Sequence, residues 1–127
     1  MSNSAEKTKN LRNYLELLFS SLDIISYFEL ADEKSETPYI VYYTRHISGV
    51  DDSDFSARYI MYIDAYGVNG SDELDDLLDL IEAYLSERVE SNNFGTFAFF
   101  LNYNRQELHE EEPLKHKQTM IELQYFF

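Results

Sequence analysis

The stretch from Pro38 to Val89 constrains the fold more than any other part of this chain. It reads PYIVYYTRH, an acidic loop, ARYIMYIDAYG, and then SDELDDLLDLIEAYLSERV. Two aromatic, β-branched runs on either side of a loop rich in Asp and Ser predict a strand, a loop and a second strand. The pair is most simply antiparallel, although the loop from Ile47 to Ser56 is too long for a tight hairpin turn. The second run passes through Gly67-Val68-Asn69-Gly70 into a helix for which Ser71 is the expected cap. Asp72 and Glu73 then sit in its first turn, where negative charge suits the helix dipole. Leu74, Leu77, Leu78, Ile81, Leu85 and Val89 form its apolar stripe, with Asp75, Asp76, Asp79 and Glu82 on or near the wet side, and its end is expected around 91–93.

The flanks extend this unit. Residues 1–6 are polar and expected to fray. From about Lys7, the spacing of Leu11, Tyr14, Leu15, Leu18, Leu22 and Ile25 predicts a helix ending between Ser20 and Asp23. The run Ile24–Leu30 suits either a last helical turn or a short strand. Residues 31–38 form a loop, and Pro38, which lacks a donor, opens the next strand. Thr96 to Tyr103 is a nearly continuous apolar strand, and Asn104–Pro113 is a charged loop. The last strand alternates: Thr119, Ile121, Leu123, Tyr125 and Phe127 face one way, Gln118, Met120, Glu122 and Gln124 the other. The expected class is α+β, a mostly antiparallel sheet of four to five strands flanked by two helices. The expected order is α-(β)-β-β-α-β-β. At 127 residues one domain over 1–127 is the default.

Composition narrows the chemistry. The absence of cysteine removes disulfides, thiolate zinc sites and cysteine nucleophiles. No apolar segment resembles a secretory signal or a membrane span of about 20 residues. Ten basic residues against 24 acidic ones, a net charge of −14, disfavour binding to DNA phosphates. The 11 Tyr and nine Phe exceed what one sheet face easily hides, which suggests contact surfaces as well as β propensity.

The candidate motifs do not support a reaction. His109 and His116 around Glu110-Glu111-Glu112 lack helical zinc spacing, and Pro113 would break such a helix. His46 has no Ser or Cys partner at a recognisable elbow. The run Asp51-Asp52-Ser53-Asp54 suggests calcium, but counting from Asp52 puts Ala57 and Ile63 where the loop needs Gly and Glu. Gly67-x-x-Gly70 lacks the third glycine of a dinucleotide loop and the Gly-Lys-Ser/Thr of a P-loop, and Asp72 and Glu73 would repel a phosphate there. The expectation is no catalytic residues, no metal and no cofactor.

The whole pattern resembles the tail-terminator (tail-completion) proteins of long-tailed bacteriophages and prophages. The resemblance runs over roughly Leu11 to Phe127. Its marks are an N-terminal amphipathic helix, the strand PYIVYY, the unit RYIMYIDAYGVNGSDELDDLLDLIEAYL and a closing strand pair ending in KQTMIELQYF. It implies a ring, usually of six subunits, that caps the head-proximal end of the tail tube, stops its polymerisation and offers a docking face to the head. The implied partners are the chain itself, the tail tube protein and a head–tail connector, with no specific nucleic-acid binding and no membrane. The implied location is the host cytoplasm during assembly and then the virion tail. Interface residues would come from the two long loops and their borders: Arg45, His46, Asp51, Asp52, Asp54, Phe55 and Arg58, and Arg105, Glu107 and His109. Arg45, Arg58 and Arg105 could pair with acidic helices of neighbouring subunits or stand alone as solvated arginines. The alternatives are a head–tail neck protein of similar shape and an acidic inhibitor, a DNA mimic or immunity-type protein whose helical carboxylates imitate phosphates.

Overall fold

The computed structural model describes residues 4–31, 36–47, 55–101, 105–108, 110 and 113–127. Helix α1 spans Ser4–Ser21 and is followed by strands β1 (Ser26–Phe28), β2 (Tyr39–Ile47) and β3 (Ser56–Gly67). Helix α2 (Ser71–Leu85) leads to β4 (Val89–Asn92), β5 (Gly95–Leu101), β6 (Gln106–Leu108) and β7 (Lys115–Phe126). The strands form one sheet in the order β1-β2-β3-β7-β5-β4, with β6 also paired to β7. Only β1 and β2 run parallel; the other pairings are antiparallel.

Among the described residues the class is α+β with two helices, as expected, but the sheet has seven strands rather than four or five. The ambiguous run before Leu30 resolves as β1. Strand β6 lies inside what reads as a charged loop. Strand β4 occupies residues assigned to the end of α2. The step from Leu85 to Val89 has helical spacing, yet α2 stops at Leu85 and Ser86 N–H closes the last turn on the Glu82 carbonyl at 2.9 Å. Glu87 adopts φ 53, a left-handed conformation that ends a helix, and Val89 turns outward, 68% exposed. At the other end of α2, Gly70 and not Ser71 holds the cap position, and the Glu73 carboxylate accepts from Asn69 N–H at 3.3 Å. Helix α1 begins at Ser4, inside the segment expected to fray.

The core follows strand alternation. Ala57, Tyr59, Met61, Ile63 and Ala65 of β3 are buried on one face, beside Ile40 and Tyr42 of β2 and Thr119, Ile121, Leu123 and Tyr125 of β7. Phe97 and Phe99 of β5 continue it. Both helices pack on this face, α1 through Leu11, Tyr14, Leu15, Leu18 and Phe19, and α2 through Leu74, Leu78, Ile81 and Leu85. Each such side chain contributes about 1.5–3 kcal/mol by leaving water. Aromatic stacking ties helix to sheet: Tyr14 lies flat on Phe97 at 3.8 Å, Phe97 on Tyr125 at 4.5 Å, and Phe19 meets Tyr42 at 4.7 Å. The Tyr14 hydroxyl donates to Glu90 at 2.5 Å; burial first, and then this contact, pushes its pKa up.

The β4–β5 turn depends on a glycine. Asn92 Oδ1 accepts from Phe94 N–H at 2.8 Å, and Gly95 follows at φ +139. A Cβ on Gly95 would stand 2.6 Å from both the Phe126 carbonyl oxygen and the Tyr125 ring. Gly70 has φ +102 but nothing within 4 Å of such a Cβ. Gly70→Ala is therefore expected to cost about 1–3 kcal/mol of backbone strain alone. Gly95→Ala should cost that strain plus about 1–3 kcal/mol of overpacking. Urea unfolding of the two variants checks the order; equal losses would refute it.

Candidate functional site

The alternation that buries one face turns the other away from both helices. On that uncovered face stand Tyr39, Val41, Tyr43 and Arg45 of β2, Arg58, Ile60, Tyr62, Asp64 and Tyr66 of β3, and the even-numbered residues of β7 from His116 to Phe126. Register places aromatic rings opposite one another. Tyr66 stacks on His116 at 4.2 Å and on Tyr39 at 5.2 Å, and Tyr39 meets the edge of Tyr27 at 5.8 Å. A row of rings thus crosses β7, β3, β2 and β1. A second pair, Tyr43 on Tyr62 at 4.9 Å, lies beside it, with the Arg45 guanidinium 5.8 Å above Tyr62. Such pairs contribute about 0.5–1.5 kcal/mol beyond area burial. Tyr43, Phe100 and Phe126 remain open to solvent on this side.

Polar groups on the face are largely paired within it. Asp64, buried in mid-strand, accepts from the Gln118 amide at 2.8 Å and lies 2.8 Å from His116 Nε2. Glu110 lies 2.9 Å from His116 Nδ1. Arg58 sits over Phe100 at 5.3 Å, 3.8 Å from Glu122, and donates to Gln124 at 3.4 Å. Burial, and then the charge of Asp64, pushes the Tyr66 phenol up to about 12; Tyr39 and Tyr43 are raised as well, mainly by burial. These phenols stay neutral at ordinary pH. Ring surfaces, phenolic hydroxyls and guanidinium groups suit recognition. Among the described residues, no group of three or more His, Cys, Asp or Glu is arranged to hold a metal ion. No described helix is long and apolar enough to cross a membrane.

The residues singled out from the sequence fall in two places. Arg45, His46, Phe55 and Arg58 gather at one end of the β2–β3 pair, where Arg45 opposes Ile60 and Ile47 opposes Arg58. His46 lies 5.4 Å from the Tyr59 ring, and Phe55 is 73% exposed while its carbonyl accepts from Phe127 N–H at 2.9 Å. Arg105 and Glu107 lie elsewhere. Glu107 belongs to β6 opposite Lys117. Asp51, Asp52, Asp54 and His109 lie outside the described residues.

Arg105 corrects two expectations. Its guanidinium contacts Asp75 at 3.1 Å, Asp79 at 3.0 Å and Glu82 at 2.7 Å, all on α2 of its own chain rather than a neighbour's. Lys117 reaches Asp75 at 2.7 Å, and the Thr119 hydroxyl donates to Glu82 at 2.9 Å. Asp75 and Glu82 thus face the sheet, not only water. The sequence reading did not place Tyr39, Tyr43, Tyr62, Tyr66 or Asp64 at a site. The signal that could have found them is Tyr62-x-Asp64-x-Tyr66, a period-two row of polar rings and charge interleaved with Met61, Ile63 and Ala65.

No protein-family model matches the sequence, and no curated protein matches it. A solved structure 8% identical in sequence superimposes with a TM-score of 0.70, covering 94% of this chain and 96% of that chain. At that identity the likeness speaks to the fold alone.

The Arg105 cluster has a measurable consequence. Lys117 first, and then Arg105, hold the Asp75 carboxyl below its ordinary 3.8. The corresponding stability is complete above pH 3.8 and is lost as pH falls through the lowered value. Arg105→Met is expected to cost about 2 kcal/mol near neutral pH, as for a charge-assisted hydrogen-bonded group. The gap between variant and wild type should narrow on acidification below pH 3.8. Urea midpoints across the acid range measure this, and a gap that does not change with pH would contradict it.

Proposed function

We propose that this chain is a structural assembly protein of a bacteriophage or prophage tail. It closes with identical copies into a ring, usually of six subunits in the resembled family, that ends the tail tube and joins it to the head. The observation that carries this reading is the sheet face on which, among the described residues, neither helix packs, lined by aromatic rings and by Arg45 and Arg58. Exposed aromatic surface of this kind is typical of protein interfaces. The short outer strands β1 and β4 leave two sheet edges for strand addition from a neighbour. A seven-stranded, mostly antiparallel sheet under two helices is compatible with the layout that the resemblance implies.

Within the same class, a head–tail neck protein would use the same surface. The acidic-inhibitor reading draws on the net charge of −14 and on Asp72, Asp76 and Asp79, which are exposed along α2. Against it, Asp75, Asp79 and Glu82 already hold Arg105, and Asp75 also holds Lys117, so part of the would-be phosphate mimic is engaged inside the chain.

Native mass spectrometry over a wide concentration range, with negative-stain images, tests the proposal. The expected result is a closed ring of identical subunits that Tyr62→Glu, a charge placed on the uncovered face, disperses without unfolding the chain. A monomer at every concentration, with or without tail tubes, together with tight binding to a basic protein, would overturn it in favour of the inhibitor.

A further inference from the structure

His116 stands between two carboxylates that make incompatible demands on a neutral imidazole. Its side chain is 8% exposed; Nε2 lies 2.8 Å from Asp64 Oδ1 and Nδ1 lies 2.9 Å from Glu110 Oε1. Ionised carboxylates only accept hydrogen bonds, and a neutral imidazole carries a single N–H. Both contacts hold together only when both ring nitrogens are protonated. The carboxylates differ in what would keep them in place after a proton is lost. Asp64 is buried in the middle of β3 and has a second donor in Gln118. Glu110 has a side chain 33% exposed and can turn to water.

We infer that Asp64, His116 and Glu110 form a proton-operated clamp, in which the doubly protonated His116 ring ties Glu110 to the sheet and loss of one ring proton releases Glu110 while Asp64 stays bound. The surroundings support retention of the proton. Tyr66 of β3 stacks on the ring, with the Tyr39 phenol of β2 beyond it, and Tyr43 lies near Asp64. Leu108 of β6, opposite His116 in register, is apolar. On its own strand, Lys117 is turned to the other face, toward Asp75, and Lys115 follows the alternation of Lys117. Glu29 shares with Glu110, Tyr39 and Tyr66 a depression of about 350 Å³ at the β1 side of the uncovered face. Burial alone would lower the ring's pKa, but the hydrogen bonds to Asp64 and Glu110 outweigh it and lift the value above the ordinary 6.5. The clamp's stabilisation is therefore complete below pH 6.5 and is lost as pH rises through the raised value. Release of Glu110 would bare the edges of Tyr39 and Tyr66 and reshape the uncovered face. The inference rests on this geometry and stands apart from the assembly reading.

The test is NMR of the full chain from about pH 5 to about pH 9, a span that brackets histidine titration. It follows the His116 ring nitrogens and the amide protection factors, corrected for intrinsic exchange, of Glu110 and β6. Ile63 and Leu123 serve as reference amides for global opening. The expected result is two protonated ring nitrogens at the acid end. Protection at Glu110 and β6 should then fall by about tenfold per pH unit between pH 6.5 and the His116 transition and level off above it, with the reference amides unchanged. Glu110→Gln, a change at a part-exposed site, should move the His116 transition to lower pH, and His116→Gln should abolish the step. A ring found with one proton at the acid end, or protection that does not follow His116 titration, would overturn the clamp.

Discussion

The structure depends on the antiparallel ladder between β3 and β7, each twelve residues long and paired from Ser56–Phe126 to Gly67–Lys115. Because side chains alternate, one slip in register would drive Tyr62, Asp64 and Tyr66 into the helix-covered core and put Met61, Ile63 and Ala65 in water. Both faces resist that slip. The core face gains the burial of five β3 side chains, and the uncovered face gains the Asp64–His116 contact and the Tyr66–His116 stack, each between residues that only this register brings together. The elements on either side attach to this pair: β2 on one side, β5 and β6 end to end along the other, and α2 across the top through Glu82 and Thr119, while β1 joins through β2 and β4 through β5.

Elements with a long periodic signature were legible in the sequence. The alternation over 118–127 places each β7 residue on its observed face, and the stripes of α1 and α2 name most of the residues that those helices bury. The losses have physical causes. β1, β4 and β6 are three or four residues long, too short for a period to show, and they owe their existence to neighbouring strands. Val89 matched the α2 stripe because helical spacing is blind to the left-handed turn at Glu87. Arg105 read as a free cation because its partners on α2 are 23 to 30 residues away in sequence. The ring row could not be seen from a sequence, because stacking of Tyr27, Tyr39, Tyr66 and His116 requires the register of four strands at once. That His116 belongs to a strand does not show in the sequence, because Lys115 to Gln118 are all polar and give no alternation; its pairing with Tyr66 reveals the strand.

The distribution of charge bears on how copies of such a chain could meet. Several of its few cations act internally: Arg105 and Lys117 fasten α2 to the sheet, Arg58 faces Glu122, and Arg88 lies 4.0 Å over the Tyr84 ring and 3.6 Å from Glu90. The remaining surface is correspondingly negative. Two molecules of net charge −14 repel, and salt screens that repulsion only beyond about 10 Å at 0.1 M. Close approach therefore favours a face on which charge is either compensated or absent. The uncovered sheet face comes closer to that condition: the phenols of Tyr39, Tyr43 and Tyr66 are held neutral, Arg58 is matched by Glu122, and a protonated His116 offsets one of its two carboxylates. Its rings present apolar area with hydroxyls that can find partners across an interface. An acidic chain that assembles with itself has more to gain from this face than from the carboxylates of α2. The state of His116 then matters twice, because the proton that holds Glu110 also sets the charge that this face presents.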